Sequence, residues 1–137
     1  MEIKKRIQSL FFVFGALMGG GAKSDVYETV TATEATKILE DSGTFLLDVR
    51  TPGEYQSGHL ANATLIPVQE LEQRLADLPA DKERTVLVYC RSGNRSVSAA
   101  KILGRQGYKK VLNLKGGILE WTRRGLPVET THPRNPG

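Results

Sequence analysis

Two apolar runs, residues 45–49 and 85–89, constrain the fold of this chain more than any other feature of its sequence. Neither run alternates apolar with polar side chains, which is the pattern of a strand with one face in water. Nearly continuous runs of this length are typical of strands that are buried on both faces of a parallel sheet. Parallel strands are joined by crossover connections, usually helices, so the chain is expected to fold as an α/β domain.

Shorter segments supply the remaining elements of the predicted fold. Three more strands are expected, the first of them at a sheet edge, over residues 26–30, 64–66 and 111–114. Helices are expected after a capping box formed by Thr31 and Glu34, across an amphipathic segment with Leu71, Leu75 and Leu78 inward, and over residues 96–106 and 118–124. Repeated strand–helix units imply right-handed crossovers, so we expect a parallel five-stranded sheet with helices on both faces.

Composition and charge limit the classes of protein to which the chain can belong. Its 137 residues suffice for one ordinary domain, and 39% hydrophobic with 25% charged residues is typical of a globular protein. The net charge is +4, but half of it comes from residues 1–22, and the remainder carries sixteen basic against fourteen acidic residues. Because no basic face interleaved with aromatic residues is present, nucleic acid is not an expected partner. No long apolar stripe is left over, so a monomer is expected.

The cysteine and histidine content argues against several kinds of site. The chain has one cysteine, Cys90, and two distant histidines, His59 and His132. A single cysteine cannot form an internal disulfide, and the ligands of a zinc finger are lacking. We therefore expect neither a metal nor an organic cofactor.

The first 22 residues have the parts of an export signal. Residues 4–6 form a positive head, residues 10–18 a short apolar run, and residues 20–22 a small-residue cleavage site. The run is shorter than the eighteen or more residues expected of a membrane-spanning helix. We expect a cleaved signal peptide and a periplasmic or secreted protein; the alternatives are an uncleaved anchor that faces the periplasm and a cytoplasmic chain. The predicted domain is then residues 23–129, followed by a flexible tail over residues 130–137.

Cys90 directly follows the second apolar run, where ligands of a parallel sheet bind beyond the carboxyl ends of the strands. The unpaired N–H groups of the loop and of the next helical turn favour an anion there, as does the helix dipole. Gly93 permits the positive φ that lets those N–H groups converge, and two arginines add charge. We therefore expect an exposed, thiolate-forming nucleophile rather than an inert core cysteine. The predicted binding loop comprises Arg91, Ser92, Gly93, Asn94, Arg95 and Ser96.

Ordered blocks of residues around this loop resemble the signature of the rhodanese domain, over roughly residues 26–128. The blocks are Leu47-Asp48-Val49-Arg50, Glu54-Tyr55, Gly58-His59-Leu60, Ala63, Ile66-Pro67, Cys90 to Ser96, Leu114-Lys115-Gly116-Gly117-Ile118, and Trp121. A cysteine loop alone is a weak signal, but the ordered set is strong. The resemblance implies the α/β fold expected above.

The resemblance also implies an enzyme, a thiosulfate sulfurtransferase. Thiosulfate or a similar donor would give its outer sulfur to Cys90 as a persulfide, sulfite would leave, and cyanide or a thiol would remove the sulfur. We expect the N–H groups of residues 91–96 to stabilise the persulfide, and Arg91 and Arg95 to attract the anionic donor. The alternative is a non-catalytic sulfur-carrier or interaction module, although rhodanese-like domains of that kind usually lack the cysteine.

A phosphatase or an arsenate reductase is a further alternative, because these enzymes use a related loop. Their loop has five residues between the cysteine and an arginine. Here the fifth residue after Cys90 is Arg95, and the sixth is Ser96. A loop one residue shorter makes a smaller ring of donors, which suits sulfur better than a tetrahedral phosphoryl group.

Four further residues in these blocks are predicted to have structural roles. Asp48 and Arg50 would brace loops beside the cysteine, and Arg50 is expected to pair with Glu54. His59 lies in a turn, where packing or hydrogen bonding is favoured over general-base catalysis. Trp121 is predicted to pack the last helix against the core.

Overall fold

The computed structural model describes residues 27–131, and its central feature is a five-stranded sheet with parallel pairing throughout. In chain order the strands are β1 (Glu28–Val30), β2 (Phe45–Asp48), β3 (Thr64–Leu65), β4 (Thr85–Tyr89) and β5 (Lys110–Leu114). Their order across the sheet is β1-β5-β4-β2-β3. The predicted parallel five-stranded sheet is confirmed, including the position of its first strand at an edge.

Helices cover both faces of the sheet, as predicted. They are α1 (Ala32–Ile38), α2 (Pro52–Ser57), α3 (Asn94–Arg105) and α4 (Gly117–Arg123), with 3-10 helices at Val68–Gln73 and Leu75–Asp77. Alternate residues of β4 point to opposite faces, so Leu87 belongs to one core cluster and Val88 to the other. Residues of α1 and α4 complete the first cluster, and residues of α3 complete the second.

Two short helices begin with the same reciprocal cap. Thr31 accepts a hydrogen bond from the Glu34 N–H, and the Glu34 carboxylate accepts one from the Thr31 N–H, so the predicted capping box is confirmed. Helix α2 was not predicted, although Thr51 and Glu54 form the same motif there. Pro52 at the first helical position was a further signal of that helix.

The predicted amphipathic helix around Leu71 and Leu75 is wrong in type. The chain forms the two 3-10 helices instead, with hydrogen bonds of the i to i+3 kind from Arg74 N–H to Leu71 and from Leu78 N–H to Leu75. Leu71 is buried as predicted, but Leu75 is only half-buried. Pro79 favours extended backbone at Leu78, so the segment ends before a long α-helix can propagate.

The predicted signal peptide, residues 1–22, lies outside the described residues, as does most of the predicted tail. At the start of that tail, the Thr131 N–H donates to the Gln56 carbonyl. Within residues 27–131, no helix combines the length and the apolarity needed to cross a bilayer.

Candidate active site

The candidate nucleophile is placed by the middle strand of the sheet. Cys90 follows the last residue of β4, and the neighbouring chain is fixed by a hydrogen bond from the Val49 N–H to the Tyr89 carbonyl. The backbone then turns at Gly93, which has φ 119° and precedes the first residue of α3. The predicted positive φ at Gly93 is therefore confirmed, and it turns the chain from strand into helix within four residues.

The loop directs backbone N–H groups at the sulfur. The Gly93 N–H donates to Cys90 Sγ at 3.0 Å. The thiol itself donates to Ser96 Oγ at 3.4 Å, and the Ser96 hydroxyl donates to the Gly93 carbonyl at 3.2 Å. Sγ therefore lies inside the turn, in contact with the loop at Gly93 and with the first turn of α3 at Ser96.

The prediction of an exposed sulfur is wrong. Cys90 is 1% exposed and belongs to the same buried cluster as Val88, because the strand alternation turns it toward α3. The loop closes over the thiol with its own backbone. The Cys90 side chain is therefore buried and surrounded by polar groups at the same time.

These contacts act in opposite directions on the pKa of the Cys90 thiol. Burial raises that pKa, whereas the hydrogen bond between Sγ and the Ser96 side chain, together with hydrogen bonds from the N–H groups of Ser96, Gly93 and Ser92, lowers it. The hydrogen bonds outweigh burial, so the pKa of Cys90 lies below its ordinary value. The thiolate is therefore more accessible than in an ordinary cysteine, even though the side chain is out of water.

The turn at Gly117, where helix α4 begins, supports the cysteine loop. The carbonyls of Cys90 and Arg91 accept hydrogen bonds from the N–H groups of Ile118 and Leu119, at 3.0 Å and 3.1 Å. A Cβ on Gly117 would lie 2.5 Å from the Cys90 carbonyl oxygen and closer still to that of Arg91. Only glycine fits there, and the contact turns the loop carbonyls toward α4 while the N–H groups face Sγ.

A Gly117→Ala variant is expected to reduce about a hundredfold the sulfur transfer that is predicted from the sequence, because the added methyl group must push the loop away from its position around Sγ. Gly125→Ala is the matched control, since Gly125 also has positive φ (77°) but a Cβ there meets nothing within 4 Å. Steady-state kinetics of both variants measure the difference. Equal activity in the two variants would contradict the role of the close approach.

The two loop arginines have different surroundings. Arg95 forms a bidentate ion pair with Glu54 of α2, with distances of 2.8 Å and 2.9 Å. The hydrogen bond from Arg95 lowers the pKa of Glu54 to about 2, so this carboxylate stays charged. Arg91 is exposed, has no salt bridge to any residue from 27 to 131, and lines a cavity of about 260 Å³. Among residues 27–131, Arg91 is thus a loop cation without an ion-pair partner.

Asp48 and Arg50 form a buried network behind the loop. Arg50 donates to both carboxylate oxygens of Asp48, at 2.7 Å to Oδ2, and to the Gly58 carbonyl at 2.7 Å. Tyr89 donates to the same Oδ2 at 2.6 Å and accepts from the Leu60 N–H. The network ties the ends of β2 and β4 to the segment after α2.

The expected pairing of Arg50 with Glu54 is wrong, because Arg50 binds Asp48 and Glu54 binds Arg95. The buried Asp48 carboxylate is the nearer partner, and it leaves Glu54 to reach the loop. His59 and Trp121 have the predicted structural roles. His59 Nδ1 lies 2.8 Å from the Tyr55 carbonyl, and Trp121 packs in the core while it donates to the Pro127 carbonyl.

The other predicted loop residues lie where the helix begins. Asn94 is exposed at the first position of α3, and Ser92 is exposed at the loop tip. In the part of the chain that is described, no group of three or more His, Cys, Asp and Glu side chains is arranged to hold a metal ion.

Comparisons with known proteins agree with this geometry. The sequence matches the family model of the rhodanese-like domain over residues 31–124. The chain belongs to this family. A sulfurtransferase of Allochromatium vinosum is 39% identical over 103 residues, which are 75% of this chain and 94% of that protein. The rhodanese resemblance seen in the sequence is therefore confirmed.

The rhodanese-like domain also occurs in proteins with other names. A tRNA uridine(34) hydroxylase of an Enterobacter species is 34% identical, and the match covers 77% of this chain but only 32% of that protein. Among solved structures, a rhodanese-related protein of Thermoplasma volcanium superposes with a TM-score of 0.69 at 31% identity, covering 77% of this chain and all of that one. The fold is shared across this range of proteins.

Proposed function

We propose that this chain is a sulfurtransferase that carries sulfane sulfur as a persulfide on Cys90. The observation that supports this most is the placement of Sγ inside a turn whose N–H groups face it, with Gly93 N at 3.0 Å. The 39% identical sulfurtransferase supports the same class of reaction. Thiosulfate is the donor that we propose, and cyanide or a thiol is the acceptor.

The proposed reaction has two displacements. In the first, the Cys90 thiolate attacks the outer sulfur of thiosulfate, the Sγ–S bond forms, and the bond to the sulfonyl sulfur breaks as sulfite leaves. In the second, cyanide or a thiolate attacks the outer sulfur, the Sγ–S bond breaks, and the Cys90 thiolate is restored. No net oxidation or reduction of the protein occurs.

The loop contributes more by holding anions than by ionising the thiol. A lower pKa raises the thiolate fraction but also lowers its intrinsic nucleophilicity, with a Brønsted slope of about 0.4–0.5, so the net gain in rate is about a few fold. N–H groups aimed at a developing anion are worth far more, about 10²–10³ in rate for one donor. We propose that the N–H groups of Ser92, Gly93 and Ser96, which form hydrogen bonds with Sγ, hold the persulfide anion in this way.

The burial of Cys90 sets a condition on the reaction. Because the residue is 1% exposed, a donor as large as thiosulfate reaches Sγ only when the residues that cover it move aside. The persulfide adds a single sulfur atom at a bond length of about 2.05 Å, so it needs less room than thiosulfate does. We infer that loading of the thiol depends on this opening more than on the electronic state of the sulfur.

Mass spectrometry and a coupled assay test the proposed function together. Purified protein is incubated with thiosulfate, and its intact mass is expected to rise by one sulfur atom. Addition of cyanide is expected to remove the adduct and release thiocyanate repeatedly. An adduct that cyanide cannot discharge would favour a sulfur-carrier module, and hydrolysis of p-nitrophenyl phosphate without any adduct would favour a phosphatase; either result would contradict the proposal.

Charge at the loop is expected to control the KM for thiosulfate more than turnover. Arg91→Ala and Arg95→Ala are each expected to raise this KM about three- to tenfold, since the first removes a cation that attracts the dianion and the second leaves the Glu54 carboxylate unpaired beside the loop. Glu54→Gln is expected to lower it, because it frees the Arg95 charge while Gln can still cap helix α2. The effects should shrink in high salt. Kinetics at two ionic strengths measure them, and an unchanged KM in all three variants would contradict the role of charge.

A further inference from the structure

Two apolar side chains stand out on the surface beside the candidate active site. Within residues 27–131, Leu119 (45% exposed) and Val128 (37% exposed) are the large hydrophobic residues that are most open to water. Both line the cavity of about 260 Å³ that Arg91 borders. We call these two side chains the apolar rim.

Backbone hydrogen bonds hold the apolar rim in place. The Leu119 N–H donates to the Arg91 carbonyl, so this residue is tied directly to the loop. Val128 precedes Glu129, whose backbone exchanges two hydrogen bonds with His59, at 2.9 Å and 2.8 Å. Large apolar side chains that are held in contact with water are unfavourable. The backbone hydrogen bonds just described do not depend on a leucine or a valine side chain at these two positions.

The charges around the same cavity leave a positive excess. Arg50 and Glu54 also line it, but Arg50 is paired with Asp48 and Glu54 with Arg95. Arg91 has no such partner among the described residues. A surface that fits this cavity would therefore carry apolar side chains and a negative charge.

The size of the cavity indicates what kind of acceptor would use the rim. Small-molecule sites usually enclose about 300–1,000 Å³, and this cavity is below that range. Thiosulfate and cyanide are small anions without an apolar group that could pack against Leu119 and Val128. A segment of protein chain supplies both apolar side chains and carboxylates on a surface larger than the cavity itself.

We propose that the apolar rim and Arg91 bind a protein acceptor whose cysteine is flanked by apolar and acidic residues. This inference rests on the proposed persulfide chemistry. The acceptor thiolate attacks the outer sulfur of the Cys90 persulfide, a new S–S bond forms on the acceptor, and the Cys90 thiolate leaves. The acceptor becomes a persulfide and the enzyme returns to its starting state.

The test uses protein whose Cys90 has already been converted to a persulfide by thiosulfate. Two synthetic cysteine peptides and cyanide are compared as acceptors of that sulfur. One peptide places leucine and glutamate beside the cysteine, and the other places serine and lysine there. Discharge is followed by the intact mass of the protein and of the peptide. The loaded protein is expected to discharge faster to the leucine–glutamate peptide.

Variants of the rim separate docking from chemistry. Leu119→Ser is expected to slow discharge to the leucine–glutamate peptide about fivefold, while discharge to cyanide stays within about twofold. Leu119→Met keeps an apolar side chain and is expected to match the wild type with both acceptors. Since each variant is compared with wild type on the same peptide, differences in intrinsic thiol reactivity cancel.

Three results would overturn the proposal. One is equal discharge of the wild-type protein to the two peptides, and another is a Leu119→Ser variant that is slowed equally with peptide and cyanide. The third is a Leu119→Ser variant that is not slowed with the peptide. Failure of the wild-type protein to form any persulfide would instead overturn the proposed function, and the acceptor site with it.

Discussion

A Cys90→Ser variant is expected to lose sulfur transfer by at least about 10³-fold while it keeps its fold. The serine hydroxyl cannot form a persulfide, so both displacements lose their intermediate. Its oxygen can still accept the hydrogen bond that Gly93 donates to Sγ, and the side chain is of similar size. We therefore expect a change in the free energy of unfolding below about 1.5 kcal/mol. Thiocyanate release and denaturant unfolding measure the two quantities.

A thiol placed elsewhere controls for simple sulfur chemistry. Ser98 is exposed on helix α3, so Ser98→Cys in the Cys90→Ser background restores a thiol outside the turn. This double variant is expected to remain inactive, since its sulfur lacks the N–H groups that face position 90. Turnover restored by the Ser98→Cys thiol, or retained without any thiol, would contradict the assignment of Cys90.

An Asp48→Ala variant is expected to lose about 3–5 kcal/mol in the free energy of unfolding. Asp48 is 0% exposed, and its carboxylate accepts from Arg50 and Tyr89. Alanine would leave the buried Arg50 guanidinium without its counter-charge and the Tyr89 hydroxyl without its acceptor. Burial raises the pKa of Tyr89, so the phenol stays protonated and cannot replace the lost negative charge.

Glu70→Ala is the matched control for this loss. It removes the exposed ion pair between Glu70 and Arg74, whose contribution to stability is expected to stay below about 1 kcal/mol. Guanidinium chloride unfolding of both variants gives the comparison. An Asp48→Ala variant as stable as Glu70→Ala would mean that the buried network contributes little to the fold.

Much of the fold could be predicted because the signals are local. The apolar run at β4 predicted a doubly buried strand, and Gly93 with its neighbours predicted the turn around Cys90. Family resemblance added the expected role of the cysteine. These signals depend on residues close together in sequence, which a single chain displays directly.

The contacts that complete the site are between distant residues, and the sequence alone did not reveal them. Glu54 and Arg95 are 41 positions apart, and their pairing arises only when α2 packs beside the loop. The requirement for glycine at Gly117 likewise depends on the approach of the Cys90 and Arg91 carbonyls. Burial of the thiol was not predicted, although the alternation of β4 side chains extends one residue past the strand and puts Cys90 on the same side as Val88.

The middle position of β4 has a consequence for the motions of the molecule. With β5 on one side and β2 on the other, the backbone N–H groups of this strand are protected by neighbours that are themselves paired. Such segments exchange their amide hydrogens with solvent only when the whole domain unfolds, whereas the short edge strands β1 and β3 open locally. Cys90 is thus anchored to the part of the backbone that we expect to exchange most slowly, and we expect local fraying at the edges to leave its position undisturbed.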